Sequence, residues 1–346
     1  MDYIEKIIFT SDDHLWSAIE IKKQNLTDNL DMFEPHSGEA KYVFRLTVPA
    51  VMRLFQLSKL QMYCVQFFLG FGVFILWASL SFSIFTNYKD TLISTLALAC
   101  VYYGKSFLIN PDSPVETVSY FLILWCIFFR DKSWLLAIGL IALFFNDERG
   151  ILAYPIIGLT IMFWHDNQKH NSLRQWIRTP ALWTLVLMFS LGCLIRLFLQ
   201  ETFEMATPIN EGGVNLNLFR GQWKFYHLGV FSGLVGFVII YFQGFVKLIR
   251  KKENYVFLIF CSLILLSYLI GTALVSDMTK TISYAVPLSL PILYKLIQTE
   301  YAQKTIMRYV LVVNVAFPSL VIIGSTQLNF YNTGFDLIFF VINLLT

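Results

Sequence analysis

The sequence predicts an all-α, polytopic membrane protein: a bundle of about ten transmembrane helices, several of them short, with amphipathic helices on its outer face. Three observations carry that expectation. Of the 346 residues, 56% are hydrophobic, 17% aromatic and only 14% charged, whereas an ordinary soluble domain has roughly 25% charged residues. More apolar side chains are present than one core can bury, so lipid must cover the excess. The apolar residues also come in runs that approach the roughly 20 needed to cross about 30 Å of hydrocarbon. Finally, the charges between the runs sort into two populations, one basic and one acidic.

The full-length runs are Met62 to Phe85, Pro180 to Leu199, Trp223 to Val246 and Tyr255 to Val275. Shorter or interrupted ones are Thr91 to Ile109 with Lys105 inside it, Val118 to Phe129, Trp134 to Phe145, Ile151 to Trp164, Tyr284 to Ile297 and Tyr309 to Gly324. Helices are required because an open strand in hydrocarbon leaves its backbone groups unpaired. The shorter runs lie between long ones in a uniformly apolar chain and are read as short or re-entrant spans. Phe335 to Leu345 is too short to assign.

Alternating sides from Met62 onward places Lys89, Arg130, Lys132, Lys169, Arg174, Lys247 and Arg250 in one set of loops, which the positive-inside rule makes cytoplasmic. The opposite loops hold only Arg149, Arg220 and Lys280 as fixed cations, beside Glu116, Asp147, Glu148, Glu201, Glu204 and Asp277. These form the outer face. A net charge of +3 and scattered single cysteines point to neither nucleic acid nor a zinc or redox motif.

Two regions follow: an outer N-terminal segment, 1–61, and the helix bundle, 62–346. The segment is polar and carries no signal-type run. Either the first span translocates its own N-terminus, or a first helix precedes this start in relatives. Leu15, Ile19 and Leu26, with Trp16 nearby, form one helical stripe, and Phe44, Val48, Val51, Met52 and Phe55 form a second. Both read as interfacial helices. Ser11-Asp12-Asp13 precedes the first as an N-cap, where a carboxylate accepts orphan N–H groups at the positive end of the helix dipole. The functional alternative makes Asp12 or Asp13 a general base at the membrane surface.

Asp12-Asp13 opening an interfacial helix, followed by Arg45-Leu-Thr-Val-Pro49 leading into a second one, resembles the first outer loop of the GT-C glycosyltransferases. Asn146-Asp147-Glu148-Arg149-Gly150 ahead of an apolar run with Pro155 is similar to their charged outer loop between short middle helices. Ser276-Asp277-Met-Thr-Lys280 before Tyr284-Ala-Val-Pro287 is similar to a later Asp-x-x-Arg/Lys loop. The outline covers Ser11 to Leu296; the first cytoplasmic end and span usual in that superfamily, and its large C-terminal domain, do not appear.

The resemblance implies a multi-pass protein of a bacterial inner membrane that moves a sugar from a polyprenyl-phosphate-sugar donor to a glycan, lipid or protein acceptor at the outer face. It implies Asp12 or Asp13 as catalytic carboxylate, with Arg149, Lys280, Lys105, Asp147, Glu148 and Asp277 as substrate-binding residues. No metal or other cofactor is indicated, and a divalent ion is compatible. Each assignment has a structural alternative: Lys105 and Arg196 snorkel to the interface, Asp147, Glu148 and Arg149 form a solvated turn, and Asp277 pairs with Lys280. Gly104-Lys105-Ser106 is no phosphate loop, since Ala99 stands where glycine is needed. Two other functions stay open: an O-antigen-type polymerase using Arg220, and a transporter or flippase.

Overall fold

The computed structural model describes residues 14–34, 39–109, 114–164, 179–206, 226–250, 255–274, 277–298, 303–317, 319–323 and 327–331. These are helical apart from one antiparallel ribbon, in which Ser319–Ile323 pairs with Gln327–Tyr331, Ser319 opposite Tyr331 and Ile323 opposite Gln327. Among the described residues, three helices are long and apolar enough to cross a membrane: Lys59–Phe85, Pro180–Phe203 and Tyr255–Ala273. Two further candidates are bent pairs. Tyr88–Ala99 and Tyr102–Ile109 meet at 61°, and Tyr226–Leu234 and Phe237–Arg250 meet at 88°.

Counting each bent pair as one span gives up to five candidates among the described residues, and a ten-span bundle is not confirmed. The shorter runs do not reach the length of a span. Pro114–Phe128, Ser133–Phe144 and Tyr154–Trp164 have 15, 12 and 11 residues, hence about 17–23 Å at 1.5 Å per residue, short of the hydrocarbon thickness. Burial tells the same story. Nine residues of Tyr154–Trp164 are buried, whereas Pro180–Phe203 buries only Ala181, Gly192 and Leu199. Tyr154–Trp164 is thus packed in protein, whereas Pro180–Phe203 leaves most of its apolar surface uncovered.

The run from Tyr309 to Gly324 is not one helix. Its helix, Gln303–Ala316, stops just before Pro318, and Ser319–Ile323 is extended. Proline cannot supply the N–H that the helix needs, and Val321, Ile322 and Ile323 favour a strand. The run from Tyr284 to Ile297 likewise divides into a 3-10 turn, Val286–Leu288, and a helix, Ser289–Gln298.

Packing divides the chain into two units: residues 1–76 with 106–215, and residues 77–105 with 216–346. In the first, the N-terminal segment contributes helix His14–Gln24, a 3-10 turn Glu39–Phe44 and helix Thr47–Leu54. Trp16, Ile19, Phe44, Val48 and Met52 are buried, so the expected stripes face protein, while Leu54 and Phe55 stay exposed. Lys22 is also buried; its Nζ donates to the carbonyls of Leu26 and Asp28, fixing the turn behind its own helix. Burial pushes this amine down to about 8, with Asp28 opposing the shift. Leu46 N–H and Thr47 N–H both donate to the Phe145 carbonyl, at 2.7 and 3.1 Å. Thr47 Oγ1 donates to the Ala142 carbonyl at 2.6 Å, which ties the segment to the end of Ser133–Phe144. Pro180–Phe203 approaches that helix at Gly192, where a Cβ would stand 2.7 Å from the Phe144 ring.

In the second unit, Trp77 Nε1 donates to Ser94 Oγ at 3.0 Å, and Ser81 joins them at 3.1 Å. Both helix breaks are served by one side chain. Asn314 Nδ2 donates to the Ala97 carbonyl at 2.8 Å, and Asn314 Oδ1 accepts from Gly236 N–H at 2.5 Å. Gly236 follows Val235, whose φ is 42°, a left-handed conformation that a β-branched residue adopts only when its surroundings impose it.

Candidate functional site

The densest set of charged side chains among the described residues lies in the first unit and joins three pieces of chain. Thr47 and Leu46 bring Arg45 against the residues that follow Ser133–Phe144. There Asn146 and Asp147 turn the chain into a single helical turn, Glu148–Ile151, with Asp147 as N-cap: Asp147 Oδ1 accepts from Arg149 N–H at 3.0 Å. The third piece is the first turn of Pro114–Phe128, which carries Glu116. Asn146 Nδ2 pins it in place by donating to the Val115 carbonyl at 2.6 Å and to Ser119 Oγ at 2.7 Å.

Arg149 lies between two carboxylates. Its Nε is 3.0 Å from both oxygens of Asp147, and its Nη2 is 2.5 Å from Asp147 Oδ2 and 3.2 Å from Glu116 Oε1. Arg45 donates to Glu148 Oε2 at 3.2 Å, stands 4.0 Å from Asp147 Oδ1 and covers the Tyr42 ring at 4.9 Å. Asp147 is wholly buried and Glu116 nearly so, whereas the Glu148 side chain is 32% exposed. Burial would raise the Asp147 carboxyl, but Arg149 and Arg45 outweigh it and hold the group well below the usual carboxylate range. Burial likewise opposes the charge on Arg45, and Glu148 and Asp147 reverse that, raising it further.

Asp147, Glu148 and Arg149 were read from sequence as one loop, and they stand together. Arg45 was visible only as part of a motif, and Glu116 only as an outer-loop charge. The signals for them were a cation beside the apolar stripe of Phe44 and Val48 and a carboxylate in a helix first turn behind Pro114. Arg149 is engaged by carboxylates on two sides, which favours the ion-pair reading of this residue over the phosphate reading.

Lys280 and Asp277 belong to the second unit, where their charged atoms stand 3.9 Å apart at the start of Met278–Ser283. Lys105, also in that unit, is buried. Arg196, on Pro180–Phe203, places its guanidinium 4.2 Å above the Phe44 ring. Asp12, Asp13 and Arg220 lie outside the described residues. Among the described residues, no group of three or more His, Cys, Asp and Glu side chains is arranged to hold a metal ion. No protein-family model, curated protein or solved structure matches the chain.

Proposed function

We propose that this chain is an integral membrane glycosyltransferase that moves a sugar from a polyprenyl-phosphate carrier to an acceptor at the outer membrane surface. The observation that carries the reading is the buried network of Arg45, Glu116, Asp147, Glu148 and Arg149. It unites the same pieces, the Arg45 stretch and the Asn146–Gly150 loop, whose sequence resembles two outer loops of GT-C enzymes. Two buried carboxylates, Glu116 and Asp147, with Arg149 and Arg45 drawn in against them, are costly to gather for stability alone. In this reading the chain crosses the membrane about ten times, counting short and re-entrant segments, with this network outside. Asp12 or Asp13 takes the acceptor hydroxyl proton as the sugar carbon gains positive charge, and Lys280 and Lys105 are, taken by themselves, the second unit's candidate cations for a lipid phosphate.

The transport alternative predicts discontinuous helices, and two bent pairs exist. Their exposed backbone groups at Ala97 and Gly236 are already met by Asn314, however, which favours a structural junction over an ion site.

The test is transfer of labelled sugar by the purified chain in lipid nanodiscs, from a panel of polyprenyl-phosphate hexoses. The Asp12→Asn or Asp13→Asn variant that removes the base should lower turnover about 100-fold at unchanged yield. A lost N-cap would instead cost roughly 1 kcal/mol of stability. Full specific activity in both variants rejects the assignment. Orientation is tested separately with single cysteines in a cysteine-free background. Met32→Cys, at a position 71% exposed, should react with an impermeant maleimide from outside, and Asp131→Cys should not; the reverse pattern inverts the topology.

A further inference from the structure

We infer that the Asn146–Glu148 end of the network binds hydroxyl groups of the sugar acceptor, through Glu148 Oε1 and Asn146 Oδ1, and does not bind the lipid phosphate. The inference rests on the transferase reading. Its basis is a mismatch between donors and acceptors. Asn146 Oδ1 and Glu148 Oε1 are both buried atoms with no hydrogen-bond partner among the described residues, and they lie two residues apart on one loop. The Asn146 amide cannot be turned to relieve this. Its nitrogen meets the Val115 carbonyl, which can only accept, so the oxygen must occupy the other arm. Glu148 has one oxygen held by Arg45; the second, Oε1, is itself buried, although about a third of the side chain is exposed. A buried acceptor left unmet keeps its desolvation cost, and a ligand that brings donors recovers that energy.

Charge decides which donor fits. Among the described residues three carboxylates gather here, and both guanidiniums already face carboxylates. A phosphate supplies only acceptors and more negative charge, so it meets repulsion and satisfies neither oxygen. An ammonium suits Glu148 but would sit beside Arg45 and Arg149. A neutral hydroxyl donates to either oxygen without adding charge. A carbohydrate offers several such hydroxyls.

The experiment is saturation-transfer NMR on the full chain in nanodiscs, with methyl α-D-glucopyranoside, methyl α-D-mannopyranoside and inorganic pyrophosphate as probes. At least one glycoside should receive saturation from the wild type and lose at least nine tenths of it in Glu148→Gln, which keeps the side chain's size and an oxygen for Arg45. Glu148→Asp, which withdraws the carboxylate by one methylene, should show the same loss and guards against misfolding of the first variant. Pyrophosphate should not displace the glycoside. In turnover, Glu148→Gln should raise the acceptor KM at least 10-fold and leave the donor KM unchanged. The inference is overturned if neither glycoside receives saturation, if the signal survives both variants, or if the donor KM rises instead. A wild type that transfers sugar with no acceptor KM effect in Glu148→Gln sinks this inference alone. A wild type that transfers nothing from any donor sinks the transferase reading, and the glycoside contact then stands or falls on the NMR.

Discussion

Replacing Arg149 with methionine is expected to lower the stability of the protein by about 3–5 kcal/mol, because it strips the shared cation from two carboxylates that remain buried. Asp147 is wholly buried and Glu116 3% exposed, and Arg149 contacts both. The measurement is the unfolding midpoint in a titration of mixed micelles with SDS. Arg149→Met combined with Asp147→Asn should recover part of the loss, since asparagine keeps the N-cap oxygen while removing one of the two carboxylates that face Arg149. A shift within about 0.5 kcal/mol for the single variant, together with weakened binding of a polyprenyl-phosphate analogue, would restore Arg149 as a phosphate ligand. Acid gives an independent check. The Asp147 carboxyl is held below its unfolded value of 3.8, so the folded state binds its proton more weakly than the unfolded chain does. Its contribution is complete at neutral pH and is lost as pH falls through the unfolded value toward the folded one. Wild-type stability should therefore decline below about pH 5, and the decline should be shallower in Asp147→Asn.

That several helices are long and apolar enough to cross a membrane was legible because it depends on composition and on run length, both local quantities. Which runs are packed in protein was not, because hydropathy reports how apolar a run is and not what surrounds it. Tyr154–Trp164 and Pro180–Phe203 are both strongly apolar, yet one is packed in protein and the other exposes most of its length. Breaks were missed for a related reason: Val235 and Gly236 sit in an unbroken apolar run, and only the left-handed turn at Val235 reveals the 88° bend. Pro318 did announce the end of its helix, but the β-branched residues after it kept the window apolar. At the site, the loop Asp147-Glu148-Arg149 was visible as adjacent charges. Its partners were not, since Arg45 and Glu148 are 103 residues apart and no periodicity connects them. What brings them together is a backbone accident of the fold, the donation of Leu46 and Thr47 to the Phe145 carbonyl.

Asn314→Ala is the second change expected to act strongly. In Tyr88–Ala99 the Ala97 carbonyl lies near the helix end, where its own chain offers only a 3.3 Å bond from Cys100 N–H. Gly236 N–H falls at the turn into Phe237–Arg250, where Asn314 Oδ1 supplies its acceptor. One buried carboxamide thus serves a donor and an acceptor from two different helix breaks. No apolar side chain can do that, and little water reaches such a place in a lipid-embedded unit. Losing it leaves Gly236 N–H unmet, at about 1–3 kcal/mol, and takes from the Ala97 carbonyl its second bond, at about 0.5–1.5 kcal/mol, hence about 1.5–4.5 kcal/mol together. Gly236→Ala approaches the same junction from the other side, since its Cβ would stand 2.5 Å from the Val310 carbonyl and 2.6 Å from Asn314 Oδ1; it should destabilise comparably by prying the helices apart. Because both changes break one junction, the double variant should lose clearly less than the sum of the two. SDS unfolding midpoints of the two single variants and the double variant decide the matter. Additive losses would mean that Asn314 and Gly236 act separately, and a loss within about 0.5 kcal/mol for Asn314→Ala would mean that each break satisfies its backbone without the asparagine.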